Sequence, residues 1–192
     1  GIVGTDITMV FQAKQCGRWV DIPSRYEEGR HYLLFAWLAG VRNGVGFAGI
    51  STFPPIEPLA QPRGFPADFD VDDEGNHQTL DGQRYMGGHS QSWLTGEEVL
   101  AGTLPRRLIR KGVLPIELYR AWDRRSYPSG VFLATPGPAI QVSEPNDIDP
   151  HTTHVRVSWL QEPARDLAYF IDEVRRLRDL HGEVRLVFDF DS

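Results

Sequence analysis

The stretch Pro163-Ala-Arg-Asp-Leu-Ala-Tyr-Phe-Ile-Asp-Glu-Val-Arg-Arg-Leu-Arg-Asp-Leu-His-Gly182, continued by Glu183-Val-Arg-Leu-Val-Phe-Asp-Phe190, decides the fold class. In its first part Leu167, Phe170, Ile171, Val174 and Leu177 recur at three- and four-residue spacing. That is the period of a helix with one buried face. Pro163 opens it and Gly182 closes it, where each residue's backbone preference fits. Asp166 near the start and Arg175, Arg176 and Arg178 near the end suit the helix dipole. In the second part Val184, Leu186, Phe188 and Phe190 alternate onto one face, the pattern of a strand. Upstream, residues 152–160 alternate as well, with Val155, Val157 and Trp159 opposite His154, Arg156 and Ser158. Strand, helix and strand joined by short links predict a C-terminal βαβ-like unit, right-handed if its strands run parallel.

Working back toward the start, residues 5–13 and 18–22 read as two strands turned at Gly17, an N-terminal β-hairpin. Residues 29–42 read as a well-buried helix: Leu34, Trp37, Leu38 and Val41 mark one face, and Leu33 and Phe35 widen it. Asn43-Gly44 tolerates the left-handed conformation that ends a helix. Thr95 and Glu98 form a capping box for a short helix over 96–101, stopped at Gly102. A second short helix is expected at 115–124, opening on Pro115, then a strand at 130–134 and a loop at 136–150. Between about 44 and 91 the density of proline and glycine predicts one long loop, which in a compact domain points to a functional or mobile segment. The expected architecture is α+β: a single domain over 1–192, with a mixed β-sheet and helices packed mainly on one face.

The composition excludes several function classes. The chain has 192 residues, 41% hydrophobic and 24% charged, so it is neither disordered nor fibrous. No apolar run reaches the roughly 20 residues of a membrane helix. Basic residues number 20 against 26 acidic ones, a net charge of −6, so a general nucleic-acid partner is not expected. Lys14 and Lys111 are the only lysines, and arginine supplies the rest; its planar fork grips carboxylate or phosphate. Cys16 is the only cysteine, which rules out an intrachain disulfide and suits a reducing, cytoplasmic setting. No basic start followed by an apolar leader is seen. The tryptophan and phenylalanine content exceeds what a small core needs and admits a symmetric homodimer.

Four segments together resemble an uncharacterised family of bacteriophage proteins. They are Tyr32-Leu-Leu-Phe-Ala-Trp-Leu-Ala-Gly-Val-Arg-Asn43, Pro62-Arg-Gly-Phe-Pro-Ala-Asp68, His89-Ser-Gln-Ser-Trp-Leu-Thr-Gly-Glu-Glu-Val-Leu100 and Val184-Arg-Leu-Val-Phe-Asp-Phe-Asp191. The family shows His-Ser-His-Ser-Trp-Leu-Thr and a closing Phe-Asp-Asn, where this chain has Gln91 and Ser192. The resemblance implies a phage or prophage origin, and so the host cytoplasm. It implies no activity.

The segment Gly88-His89-Ser90-Gln91-Ser92-Trp93 is the most suggestive for chemistry. Read as a small-residue turn before a capped helix, it would offer amides and serine hydroxyls to an anion. His89 would donate to a phosphate or act as acid or base, and Trp93 would stack a base or anchor the helix. Arg42 and Asn43 end the buried helix, with Arg42 in reach of a ligand. Arg63, between Pro62 and Gly64, would fork onto Asp68 or a phosphate. The ligand-binding candidates are therefore Arg42, Asn43, Arg63, His89, Ser90, Ser92 and Trp93, with His89 catalytic if the protein is an enzyme. Asp189 and Asp191, two apart on a strand, could hold a hard cation, or form a solvated face. His151 and His154 lack the further ligands that zinc needs, so neither a metal nor a cofactor is expected. Cys16 reads as a turn residue, without the base that a nucleophile needs. Without a complete catalytic set, the chain reads as a phage accessory protein that binds a nucleotide-type small molecule or a host factor. The alternatives are a phosphoester hydrolase using His89 as acid or base and Arg63 as charge stabiliser, or a virion component.

Overall fold

The computed structural model describes residues 4–46, 51–132 and 140–192. Strand β1 (Asp6–Gln15) turns at Cys16 and Gly17 into β2 (Arg18–Asp21). Both turn residues have positive φ, 51° and 78°, the two-residue turn whose twist matches an antiparallel hairpin. Strand β9 (Val184–Asp191) pairs with β1 from Asp6↔Asp191 to Ala13↔Val184, and on its other side with β5 (His89–Thr95). The order is β2-β1-β9-β5, with every pair antiparallel. Strand β9, central in this sheet, is buried from Val184 to Phe190, both on the face expected to be apolar and, under a second cover, on the opposite face.

The helices cover one face of this sheet. Helix α1 (Tyr32–Ala39) is buried from Leu33 to Ala39, shorter than the 29–42 read from periodicity. It starts where His31 Nδ1 accepts the Leu34 N–H (3.4 Å). It stops at Gly40 rather than at Asn43-Gly44, because Gly40 itself adopts the left-handed conformation (φ 71°) and donates its N–H to the Ala36 carbonyl. The C-terminal helix breaks at Leu167 into α4 (Pro163–Asp166) and α5 (Ala168–His181). Phe170, Val174 and Leu177 pack with Leu186, Phe188 and Phe190 of β9, Met9 and Phe11 of β1, and Trp37 of α1.

The opposite face is covered by chain from the region expected to be a structureless loop. Phe69 and Met86 pack with Val10 and Val187, joined by Phe65, Val71 and Trp93. Within this cover β3 (Asn76–Thr79) and β4 (Gly82–Tyr85) form a hairpin. Their polar sequences carry no apolar alternation, so periodicity could not reveal them.

A second sheet has the order β6-β8-β7, with β6 (Leu108–Pro115) antiparallel and β7 (Val142–Ser143) parallel to β8 (His154–Gln161). The α+β class and the N-terminal hairpin are as read from the sequence, and this smaller sheet is the mixed one. The strand–helix–strand order β8-α5-β9 is present, but β8 and β9 belong to different sheets. No βαβ crossover is therefore formed. Helix α2 (Gly96–Ala101) ends at Gly102 as expected. Helix α3 (Ile116–Ala121) follows Pro115, which is the last residue of β6. Of the strand expected at 130–134, Phe132 bridges Val113; residues 133–139, with the start of the 136–150 loop, lie outside the described residues. The smaller sheet has its own core of Leu114, Ile116, Tyr119, Val155, Val157 and Trp159.

Candidate functional site

The segment from His89 to Trp93 is not a turn before a helix but the first part of β5. Its ladder with β9 is interrupted between His89 and Ser92, where Ser90 takes φ 53°. A bulge of this kind re-aims side chains at a sheet edge. Gly88 just ahead allows the approach: its N–H donates to Asp189 Oδ2 at 2.7 Å, and a β-carbon there would stand 2.0 Å from the Phe190 carbonyl oxygen. The capping box forms as expected, with Thr95 Oγ1 accepting the Glu98 N–H (3.1 Å) and Glu98 Oε1 accepting the Thr95 N–H (3.0 Å). The Glu98 amide at the start of this helix is thus already satisfied.

Two of the sequence candidates meet through residues that sequence reading missed. His89 Nε2 shares a hydrogen bond with Ser192 Oγ (2.9 Å), and Ser192 Oγ shares another with Thr5 Oγ1 (2.9 Å). Arg42 Nε donates to the same Thr5 oxygen at 2.8 Å. His89 Nδ1 shares a hydrogen bond with Ser90 Oγ at 3.0 Å. Arg42 also lies 5.4 Å from the Tyr32 ring and donates to the Gly46 carbonyl. An exposed imidazole thus connects through two hydroxyls to a guanidinium. The hydrogen bonds at Nδ1 and Nε2 hold both ring nitrogens of His89 in place.

The other candidates serve the framework. Asn43 clamps the backbone of Ile56, donating to its carbonyl (2.7 Å) and accepting its N–H (2.9 Å). Residues 63 and 64 run beside β5: the Arg63 N–H donates to Ser92 Oγ (3.0 Å) and the Gly64 N–H to the Gln91 carbonyl (2.8 Å). The Arg63 side chain lies 4.9 Å from the Trp93 ring and forks onto Glu98 with contacts of 2.9 and 2.5 Å. Its partner is thus Glu98, not Asp68, which pairs instead with Arg185. The Arg63 guanidinium holds the Glu98 carboxyl at about 2, well below its ordinary 4.5. The segments around Arg42, Arg63 and His89 are neighbours, but the guanidiniums of Arg42 and Arg63 are held by internal partners.

Asp189 and Asp191 do not form a matched pair. Asp189 is buried and Asp191 exposed, and burial pushes the Asp189 carboxyl up to about 6. Among the described residues no group of three or more His, Cys, Asp or Glu is placed to hold a metal ion. The backbone N–H of His151 donates to Asp149, and the His154 ring pairs with Thr153. Cys16 is exposed in the hairpin turn. No helix among the described residues is long and apolar enough to cross a membrane.

A cleft of about 970 Å³ lies on the smaller sheet, away from every residue singled out in the sequence as a ligand-binding candidate. Lys111, Arg124 and Arg156 line it together with Tyr119, Trp122 and Phe132. Glu144 pairs with Arg156 at 3.1 Å. Lys111 and Arg124 pair with no carboxylate among the described residues, and Arg124 lies 5.3 Å from the Tyr119 ring. Arg124 also has φ 66°, a costly backbone conformation for a residue with a side chain. The sequence carries a signal for this cleft only in β8, where Arg156 stands between Val155 and Val157; in β6 Lys111 stands between Arg110 and Gly112, so no alternation marks that strand. Comparison with family models, curated proteins and solved structures finds no match for this chain.

Proposed function

We propose that this is a binding protein, of phage origin as its sequence segments suggest, that holds a nucleotide-type small molecule without altering it. The observation that carries this reading is the cleft bounded by Lys111, Arg124 and Arg156 and walled by Tyr119, Trp122 and Phe132. Its volume is at the upper end of ligand pockets. Lysine and arginine suit phosphate, and the aromatic faces suit a base. In a chain of net charge −6, this local cation surplus favours a small anion over a long polyanion such as DNA. Calorimetric titration with a panel of nucleoside mono- and diphosphates tests it. The expected outcome is binding, weakened about tenfold or more by Lys111→Ala or Arg124→Ala, with the ligand recovered intact. Absence of binding across the panel refutes it.

A second reading, a phosphoester hydrolase, is favoured by the exposed His89 ring held against Ser192 Oγ. Here His89 would be the acid or base. Turnover that survives His89→Ala at full rate removes this alternative.

A further inference from the structure

The face of the smaller sheet turned away from its own core carries a pattern that the cleft uses only in part. Successive side chains of a strand point to opposite faces. Ile109, Lys111 and Val113 of β6 therefore share this outer face with Arg156, Ser158 and Leu160 of β8, while Leu114, Val155, Val157 and Trp159 pack in the core. Register sets them in three rows: Val113 opposite Arg156, Lys111 opposite Ser158, and Ile109 opposite Leu160. Phe132 extends the first row. It bridges Val113 through backbone hydrogen bonds of 2.9 and 2.8 Å, and its exposed ring stands edge-on to His154 with centroids 5.7 Å apart. The first two rows line the cleft, and the third lies one row beyond it.

Along the strands, the cations of the first two rows thus have an aromatic ring on one side and a bare apolar pair on the other. Lys111 and Arg156 are diagonal neighbours across the strand pair, and Ser158 adds a hydroxyl donor. Glu144 pairs with Arg156 at 3.1 Å, so these three charged side chains sum to one positive charge. That matches the single charge of a phosphodiester, whereas a phosphomonoester carries nearly two. Arg124, held over Tyr119 in the same cleft, remains for a terminal phosphate. In the third row Ile109 and Leu160 are 48% and 59% exposed. A mononucleotide has one base and ends at its phosphate. With its base on Phe132 and its phosphate on Lys111 and Arg156, it leaves this apolar pair in water. A phosphate esterified on both sides continues past the cations and lays a second base on Ile109 and Leu160. The rows from Val113 to Ile109 span about 14 Å, which sets the two bases apart on either side of the phosphate. We propose that the ligand of this face is a dinucleotide, held by its internal phosphodiester at Lys111 and Arg156 with one base on each flank. This rests on the nucleotide-binding reading and narrows it.

Calorimetric titration of the full chain with AMP and with the 5′-phosphorylated diadenylate pApA tests this. The expected result is that pApA binds about tenfold or more tightly than AMP, the worth of one added base contact. In the double variant Ile109→Ser, Leu160→Ser that ratio should fall to near one. Both positions are exposed, so the substitutions leave the core of the smaller sheet intact. Equal affinity for AMP and pApA in the unaltered protein overturns the dinucleotide inference and leaves nucleotide binding standing. A ratio that survives in the double variant also overturns it, because the second base then rests elsewhere. Binding of neither compound removes the inference together with the reading on which it rests.

Discussion

At the scale of single residues, two carboxylates set opposite pH dependences in adjoining ranges. Glu98 is held at about 2 by Arg63, with the capping-box amide adding to the effect. Between 4.5 and about 2 the unfolded chain binds more protons than the folded one, so stability contributed by Glu98 is present above 4.5 and lost as pH falls through that window. The side chain is 37% exposed, so screening reduces its worth to about 1 kcal/mol. Glu98→Gln should remove that amount at neutral pH in a urea melt and flatten the acid limb. Asp189 behaves in the reverse sense. Its carboxyl is pushed from 3.8 to about 6 by burial, so the folded state binds the extra proton and stability falls as pH rises through that interval. Asp189→Asn keeps an acceptor for the Gly88 N–H. It should stabilise the protein at neutral pH by about 2–3 kcal/mol, with the gain vanishing below 3.8. Equal stability of the two proteins across the whole range would contradict the buried-charge account.

At the scale of elements, what could be read from the sequence was what repeats locally. The hairpin turn at Cys16-Gly17, the Thr95–Glu98 box and the apolar stripe of α5 each depend on neighbours a few residues away. Strand β9 shows where this stops: alternation marked Val184, Leu186, Phe188 and Phe190 as the inner face and left Asp189 and Asp191 on the other, for a cation or for solvent. The chain from 65 to 86 covers that second face, and nothing within β9 itself announces the cover. Likewise β6, Leu-Ile-Arg-Lys-Gly-Val-Leu-Pro, hides its alternation because the buried Arg110 occupies an apolar position. The candidate residues 42, 63 and 89 were drawn from true neighbours, but local pattern says nothing about which carboxylate Arg63 takes. The buried side of the β9 cover rests on Arg185, which donates to Gln12 Oε1 (2.8 Å) and Asp68 Oδ1 (2.9 Å) and lies 4.4 Å from the Trp19 ring. Asp68 is 63% exposed and Arg185 4%. Arg185→Ala should therefore cost about 3 kcal/mol, since it opens a buried network. Asp68→Ala should cost under about 1 kcal/mol. Hydrogen exchange at 69–86 should quicken strongly in the first variant and little in the second.

At the scale of the whole molecule, two sheets with separate cores share few connections. Leu108 of β6 reaches the main cluster, the Lys111 N–H donates to the Thr52 carbonyl (2.8 Å), and Arg110 lies against Phe53. The remainder of the smaller sheet packs on itself and α3. Domains open in cooperative units where contacts between parts are sparse, so the β6–β8 unit should open without the larger sheet. Leu114→Ala, at a site 1% exposed in the smaller core, should cost about 2–5 kcal/mol by cavity formation. That loss should quicken amide exchange in β6 and β8 while β1 and β9 retain their protection. Phe188→Ala in the main core should cost about 3–5 kcal/mol and quicken exchange in β1 and β9. The cleft of Lys111, Arg124 and Arg156 belongs to the unit that opens first. A nucleotide bound there stabilises only states in which that unit is closed. Saturating ligand should therefore slow exchange in β6 and β8 up to the limit set by global unfolding, and leave β9 nearly unchanged. Equal protection of both sheets by the ligand would place the site across them rather than on the smaller one.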